Sequence, residues 1–170
     1  MSEFVTVDGA QVGVLMGSKS DWPVMEKCSQ TLASLGVTHE CNVISAHRAA
    51  KRLEMYCESA PDRGIQVLIC AAGGAAHLAG VAAAMTHIPV LGCPMKAWST
   101  EGLDSLLSMA QMPKGIPVGT LAVGSAGAVN AALLAVSILS LADDALQDRY
   151  LAFRAEQSAA TFELPGAPGH

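Results

Sequence analysis

Charge is scarce in this sequence. Of its 170 residues only 15% are Asp, Glu, Lys or Arg and only 4% are aromatic, where an ordinary soluble domain carries roughly 25% charge. The hydrophobic share of 51% is therefore made mainly of Ala, Val, Leu and Met, enough for a full core and too much for a disordered chain. No run of even three basic residues occurs, and 10 Lys+Arg against 15 Asp+Glu leave a net charge of -5. Nucleic acid is not an expected partner, because phosphate binding needs clustered cations. By size scaling a monomer of this mass exposes roughly 7,900 Å². So few charges cover that area thinly, which points to a homo-oligomer.

Other absences narrow the chemistry. The five cysteines, Cys28, Cys41, Cys57, Cys70 and Cys93, form no C-x-x-C pair, so they read as reduced, mostly buried thiols and not as a disulfide framework or zinc site. There is no H-x-x-H, H-E-x-x-H or carboxylate cluster for a metal, and no G-x-S-x-G elbow. Neither a Walker A loop nor G-x-G-x-x-G is present, so ATP and NAD are not implied. Residues 1–11 hold acids and no basic stretch leading into an apolar one; no secretory signal is read, and a cytoplasmic location is expected. Residues 115–142 lack charge altogether. Pro117, Gly124, Gly127 and Asn130 interrupt them, so they read as a helix buried in an assembly instead of a membrane span.

What is present is a repeated alternation. Apolar runs at 11–16, 40–45, 66–71, 89–93 and 117–123 are each followed by a helical stretch, at 22–35, 49–63, 75–85, 102–110 and 126–142. Continuous apolar strands joined by helices imply parallel pairing with both faces covered. The expected fold is α/β, a three-layer α/β/α sandwich around a five-stranded parallel sheet, with an extra polar helix at 143–158. A single domain is read over 11–160, preceded by an extension at 1–10 and followed by a loose tail at 161–170. In such sheets ligands sit beyond the carboxyl ends of the strands, so function is sought in the strand-to-helix loops.

Three loops carry chemistry. In Gly17-Ser18-Lys19-Ser20-Asp21 the glycine permits a turn, and the serines offer hydroxyls and N–H groups to an anion; the same Ser and Asp residues also serve as plain helix caps. Asp21 suits either a cap or sugar hydroxyls. Ser45-Ala46-His47-Arg48 joins a proton-transfer group to a fork-shaped cation that can grip phosphate. Ala72-Gly73-Gly74-Ala75-Ala76-His77 lets backbone N–H groups approach a carboxylate or a flat heterocycle, or is simply a tight turn. His77 either donates within the site or satisfies a buried carbonyl.

Taken together these loops resemble one family closely, the class I N5-carboxyaminoimidazole ribonucleotide mutases of bacterial purine synthesis. VLMGSKSDW (14–22), VISAHR (43–48), AGGAAHLAG (72–80), PVLGCP (89–94), LDSLLSMAQMPKGIPVGTLAVG (103–124) and AGAVNAALLAVSILSL (126–141) look like its signatures in order and spacing, over about residues 11–155. The resemblance implies a flavodoxin-like fold, an octamer with sites where subunits meet, and no metal or organic cofactor. It implies that a carboxylate moves from the exocyclic nitrogen of the aminoimidazole to C4 through released and recaptured CO2. His47 is the implied proton carrier; Ser18, Ser45 and Arg48 would hold the phosphate and Asp21 the ribose. Gly73, Gly74 and Ala75 would face the carboxylate or CO2, supported by His77. Departures are Ala49-Ala50 where Thr-Pro is usual, Ala71 for Gly, Ala79 for Pro, and Lys96-Ala97-Trp98 for a Ser-containing stretch. Two other readings stand beside it: a class II aminoimidazole ribonucleotide carboxylase using CO2, from which Arg48 in place of Lys argues away, and a non-catalytic nucleotide-binding module.

Overall fold

In the computed structural model, which describes residues 4–160, five strands form one parallel sheet in the order β2-β1-β3-β4-β5. They are β1 (Val12–Met16), β2 (His39–Val43), β3 (Val67–Gly73), β4 (Val90–Met95) and β5 (Gly119–Thr120). The helices are α1 (Trp22–Ser34), α2 (Ala50–Ser59), α3 (Leu78–Met85), α4 (Leu103–Ala110), α5 (Ser125–Leu139) and α6 (Asp144–Ala160). This is the expected three-layer sandwich with an extra C-terminal helix. The tail read at 161–170 lies outside the described residues.

Side-chain alternation in the central strands builds two cores. Val12, Val14 and Met16 of β1 and Val67, Ile69 and Ala71 of β3 face one side, where they meet Met25, Cys28 and Leu32 of α1, Ala128 to Leu139 of α5 and Leu146 of α6. Leu15, Leu68, Cys70 and Ala72 face the other, against Leu53, Tyr56 and Cys57 of α2, Leu78, Ala79 and Ala82 of α3 and Met109 of α4. Burial on both faces explains why β1 and β3 carry no polar residue. Four cysteines are buried, Cys41 is half-buried, and all are free thiols. Burial pushes Cys57 and Cys93 up to about 12, so they are inert packing groups. No described helix is long and apolar enough to cross a membrane.

Two strands depart from the sequence reading. The run expected at 117–123 pairs only at Gly119 and Thr120, opposite Leu91 and Gly92. Pro117 has no N–H to give a ladder, and beyond Thr120 the chain keeps single bonds to β4, from Leu121 N to Gly92 O and from Gly124 N to Pro94 O. The edge strand β2 alternates buried and half-buried residues, and its two buried side chains are polar, Glu40 and Asn42.

That polarity is fully partnered. Glu40 Oε1 accepts from Tyr56 Oη and from Arg63 Nη1, each at 2.7 Å, and Oε2 accepts from Val7 N at 2.9 Å. Asn42 accepts from Val5 N at 2.7 Å and donates to Val5 O at 2.8 Å. The Arg63 guanidinium lies over the rings of Phe4 and Tyr56, with 5.2 and 4.9 Å to their centroids. Residues 4–7, read from sequence as part of an extension, are thus tied to β2. Gly13 of β1 leaves the room for this cluster, since a Cβ there would collide with Tyr56 Oη.

A buried carboxylate stripped of one charge-assisted donor loses about 1.5–3 kcal/mol. Tyr56→Phe is therefore expected to lower the urea unfolding free energy by about that amount at unchanged m. A loss under about 0.5 kcal/mol would mean that Arg63 and Val7 alone satisfy Glu40.

Candidate active site

The sheet order sends β1 to α1 on one face and β2 to α2 on the other, so the loops after β1 and β3 diverge at the carboxyl edge. A crevice is expected at such a switch point. A cavity of about 430 Å³ opens there, lined by the loops that follow β1, β2, β3 and β4. Its size suits a small molecule.

The first loop is anchored by Gly17 N, which donates to Ala71 O at 2.9 Å. Ser18 and Asp21 then form a capping box around the short turn Lys19–Asp21: Ser18 N donates to Asp21 Oδ2 at 3.0 Å, and Ser18 Oγ accepts from Ser20 N at 3.2 Å and from Ser20 Oγ at 2.8 Å. The capping alternative is the one seen, and the capping groups also line the cavity. Asp21 is nearly buried. Burial raises its carboxyl above the usual range, and the Ser18 N–H pulls it partly back.

After β2 the chain makes a tight turn, closed by Ala49 N to Ser45 O at 2.9 Å and by Arg48 N to Ser45 Oγ at 3.3 Å. The turn lifts His47 and Arg48 into the open. The first residue of α2 is Ala50, preceded by Ala49 without a side-chain cap. The Arg48 guanidinium has no partner among the described residues, and it lines the cavity.

The third loop supplies the contact that sequence could not reveal. His77 immediately precedes α3, and its Nδ1 lies 2.8 Å from His47 Nε2, the rings meeting edge to face at 87°. One of these nitrogens must carry hydrogen, so the two imidazoles share one proton between them. Of the alternatives for His77, hydrogen bonding within the site is the one seen. Gly73 and Ala75 line the cavity, whereas Gly74 does not. Gly74 adopts a left-handed backbone, φ 68°, and donates its N–H at 2.8 Å to Ser105 Oγ, which in turn donates to Met95 O at 2.8 Å. The expectation that all three residues present free N–H groups thus fails at Gly74, whose amide is spent on positioning the loop.

Ser105 is fully buried on α4 and ties the third loop to the end of β4. Nothing in its local sequence marks it. Met95, Lys96 and Ala97 complete the wall. Gly73 is required by their approach, because a Cβ on it would stand 2.9 Å from Ala97 Cβ and 3.4 Å from Met95 Cβ. Among the described residues no three His, Cys, Asp or Glu side chains gather to hold a metal.

The arrangement thus offers a histidine pair able to move a proton, one unpaired guanidinium, a nearly buried carboxylate and a glycine-floored wall. Comparison with known proteins attaches this arrangement to a lineage. A family model described as AIR carboxylase matches residues 11–160. The N5-carboxyaminoimidazole ribonucleotide mutase of Vibrio parahaemolyticus is 52% identical over 155 residues, covering 91% of this chain and 96% of that protein. The protein of the same name from Escherichia coli is 49% identical over 160 residues, covering 94% and 95%. Among solved structures, PurE of Treponema denticola superposes with a TM-score of 0.80 at 28% identity, over 89% of this chain and 93% of that one. The matched region takes in the whole sheet and every loop that walls the cavity, and the chain therefore belongs to the AIR carboxylase family.

Proposed function

We propose that the chain is an N5-carboxyaminoimidazole ribonucleotide mutase acting in the cytoplasm in purine synthesis, an isomerase that moves a carboxylate from the exocyclic nitrogen to C4. One observation carries the reading beyond family membership: the His47–His77 pair stands at the cavity beside an unpartnered Arg48. The substrate joins a phosphate, which needs a cation, to a reaction that needs a proton given and then taken.

His47 supplies that proton. Its Nε2 is held by His77, which leaves Nδ1 for the substrate. In the cationic state Nδ1–H protonates the exocyclic nitrogen as the N–C bond breaks and CO2 departs. The ring carbon C4 then attacks the CO2, and the neutral Nδ1 removes the C4 proton. Each proton leaves and returns at one atom, so the histidine ends the cycle as it began, and no cofactor is consumed. His47 Nε2–H donates to His77 Nδ1 in both states, so the proton exchanged with the substrate is the one at Nδ1.

Arg48 and the Ser18 and Ser45 hydroxyls bind the phosphate, and Asp21 the ribose hydroxyls, through the oxygen that Ser18 N leaves open. Gly73 and Ala75 floor the end where CO2 is held, with Gly74 serving the loop from behind. Retaining CO2 matters because a small apolar molecule escapes to solvent faster than an unrestrained site recaptures it. A homo-octamer, with cavities shared at subunit contacts, accounts for the charge-poor composition.

His47→Asn is expected to abolish interconversion of the two carboxylated ribonucleotides while product affinity stays within several-fold. A variant turning over at the wild-type rate would remove His47 from the reaction. Arg48→Ala should raise KM at least tenfold, about 1.4 kcal/mol for one charge-assisted contact; an unchanged KM would place the phosphate elsewhere. Absorbance assays with and without external CO2 separate a mutase from a carboxylase, since only the latter depends on added CO2. Light scattering should return an octamer, and a monomer would overturn the shared-site assembly.

A further inference from the structure

The wall after β4 holds a cation that the proposed reaction has not used. Lys96 lines the cavity, and its Nζ lies 3.2 Å from Glu101 Oε2, with 69% and 75% of the two side chains exposed. An ion pair this open to solvent is weak and readily exchanged for another anion. Its acidic member is held at a cost: Glu101 is the one non-glycine among the described residues with a left-handed backbone, φ 53°, directly before Gly102 at φ 94°. Such strain persists where the surroundings impose it, and it clusters at ligand clamps.

The position of Lys96 within the trough decides what it can bind. Arg48 follows β2 and Lys96 follows β4, with β1 and β3 between them. Three strand spacings of about 4.8 Å set the two strand ends about 14 Å apart. The cavity thus carries one cation at each end, with Asp21 as the acid in its lining. A phosphate alone needs only one of them. The residue after Lys96, Ala97, closes on Gly73, which puts this second cation beside the floor assigned to the migrating carboxylate.

We propose that Lys96 is a positioning residue for that carboxylate: it exchanges Glu101 for the substrate's carboxylate group, favouring the carboxylated states over separated CO2 and bare aminoimidazole. Glu101 parks the ammonium while the site is empty. The bonds made and broken remain those given above, and Lys96 neither gains nor loses a proton. This role rests on the mutase reading for its substrate, but its binding signature is independent of turnover.

The test compares two ligands that differ by one carboxylate, aminoimidazole ribonucleotide and its C4-carboxylated form, on wild type, Lys96→Met, Lys96→Arg and Glu101→Gln. Lys96 is exposed, so these variants are expected to fold. Lys96→Met should weaken the carboxylated ligand at least fivefold and the bare one less than twofold, with Lys96→Arg restoring most of the loss. Glu101→Gln, which frees the ammonium, should tighten the carboxylated ligand two- to threefold. In turnover, Lys96→Met should raise the fraction of events ending in free aminoimidazole ribonucleotide at least fivefold. Equal weakening of both ligands, or none, overturns the proposal. If Lys96→Met shows this selective weakening while the wild-type protein never interconverts the carboxylated isomers, the mutase reading falls and the role of Lys96 stands.

Discussion

The reversal of strand order around β1 is the constraint on which the rest of this molecule depends. Because β2 lies on one side of β1 and β3 on the other, α1 packs on one face of the sheet and α2 and α3 on the other, and the first turns of α1 and α3 draw apart. That divergence opens the cavity. It also demands that the strands flanking it be dry on both sides, which accounts for the apolar runs of β1 and β3. Small residues let the walls close in. Gly73 admits the β4 loop, and Gly17 hydrogen-bonds directly to Ala71 of β3.

Two polar clusters stand at opposite ends of the sheet. At the carboxyl edge the groups are exposed and incompletely partnered: Arg48 has no partner among the described residues, Lys96 has a weak one, and the histidines have each other. Near the start of β2, Glu40 is buried and both its oxygens are bonded, by Tyr56, Arg63 and the backbone of residue 7, while Nε and Nη2 of Arg63 find no hydrogen-bond partner and lie against the rings of Phe4 and Tyr56. A buried charge survives only when paired and fully hydrogen-bonded, whereas a binding group must keep capacity in reserve. The two clusters divide stability from proposed function along the strand axis.

Positioning in the site is indirect. Ser105 on α4 holds Gly74 and the end of β4 at once, so the floor of the cavity is set from behind by a residue that never lines it. His77 stands in a similar relation to His47, fixing which nitrogen faces outward. The alanines at 49, 50, 71 and 79 are absorbed without disruption: Ala71 and Ala79 are fully buried, and the turn at 45–49 is closed by Ser45 in place of a proline-set helix start.

Sequence by itself determined the layers, the parallel sheet and the loops in which to look, because apolar periodicity and the chemistry of Gly, Ser, Asp and His at strand ends are local properties. It also carried the family resemblance, since the motifs lie in register along the chain. Only tertiary structure decided which groups meet. The His47–His77 contact spans 30 residues and the Gly74–Ser105 contact 31, and no local pattern encodes such pairings. The shortening of β5 and the tying of residues 4–7 to β2 were likewise hidden, the first because an edge strand is defined by a neighbour, the second because Glu40 and Asn42 look like surface residues until their partners are known. A chain announces what its residues can do; the crossing of its strands selects the few that do it together.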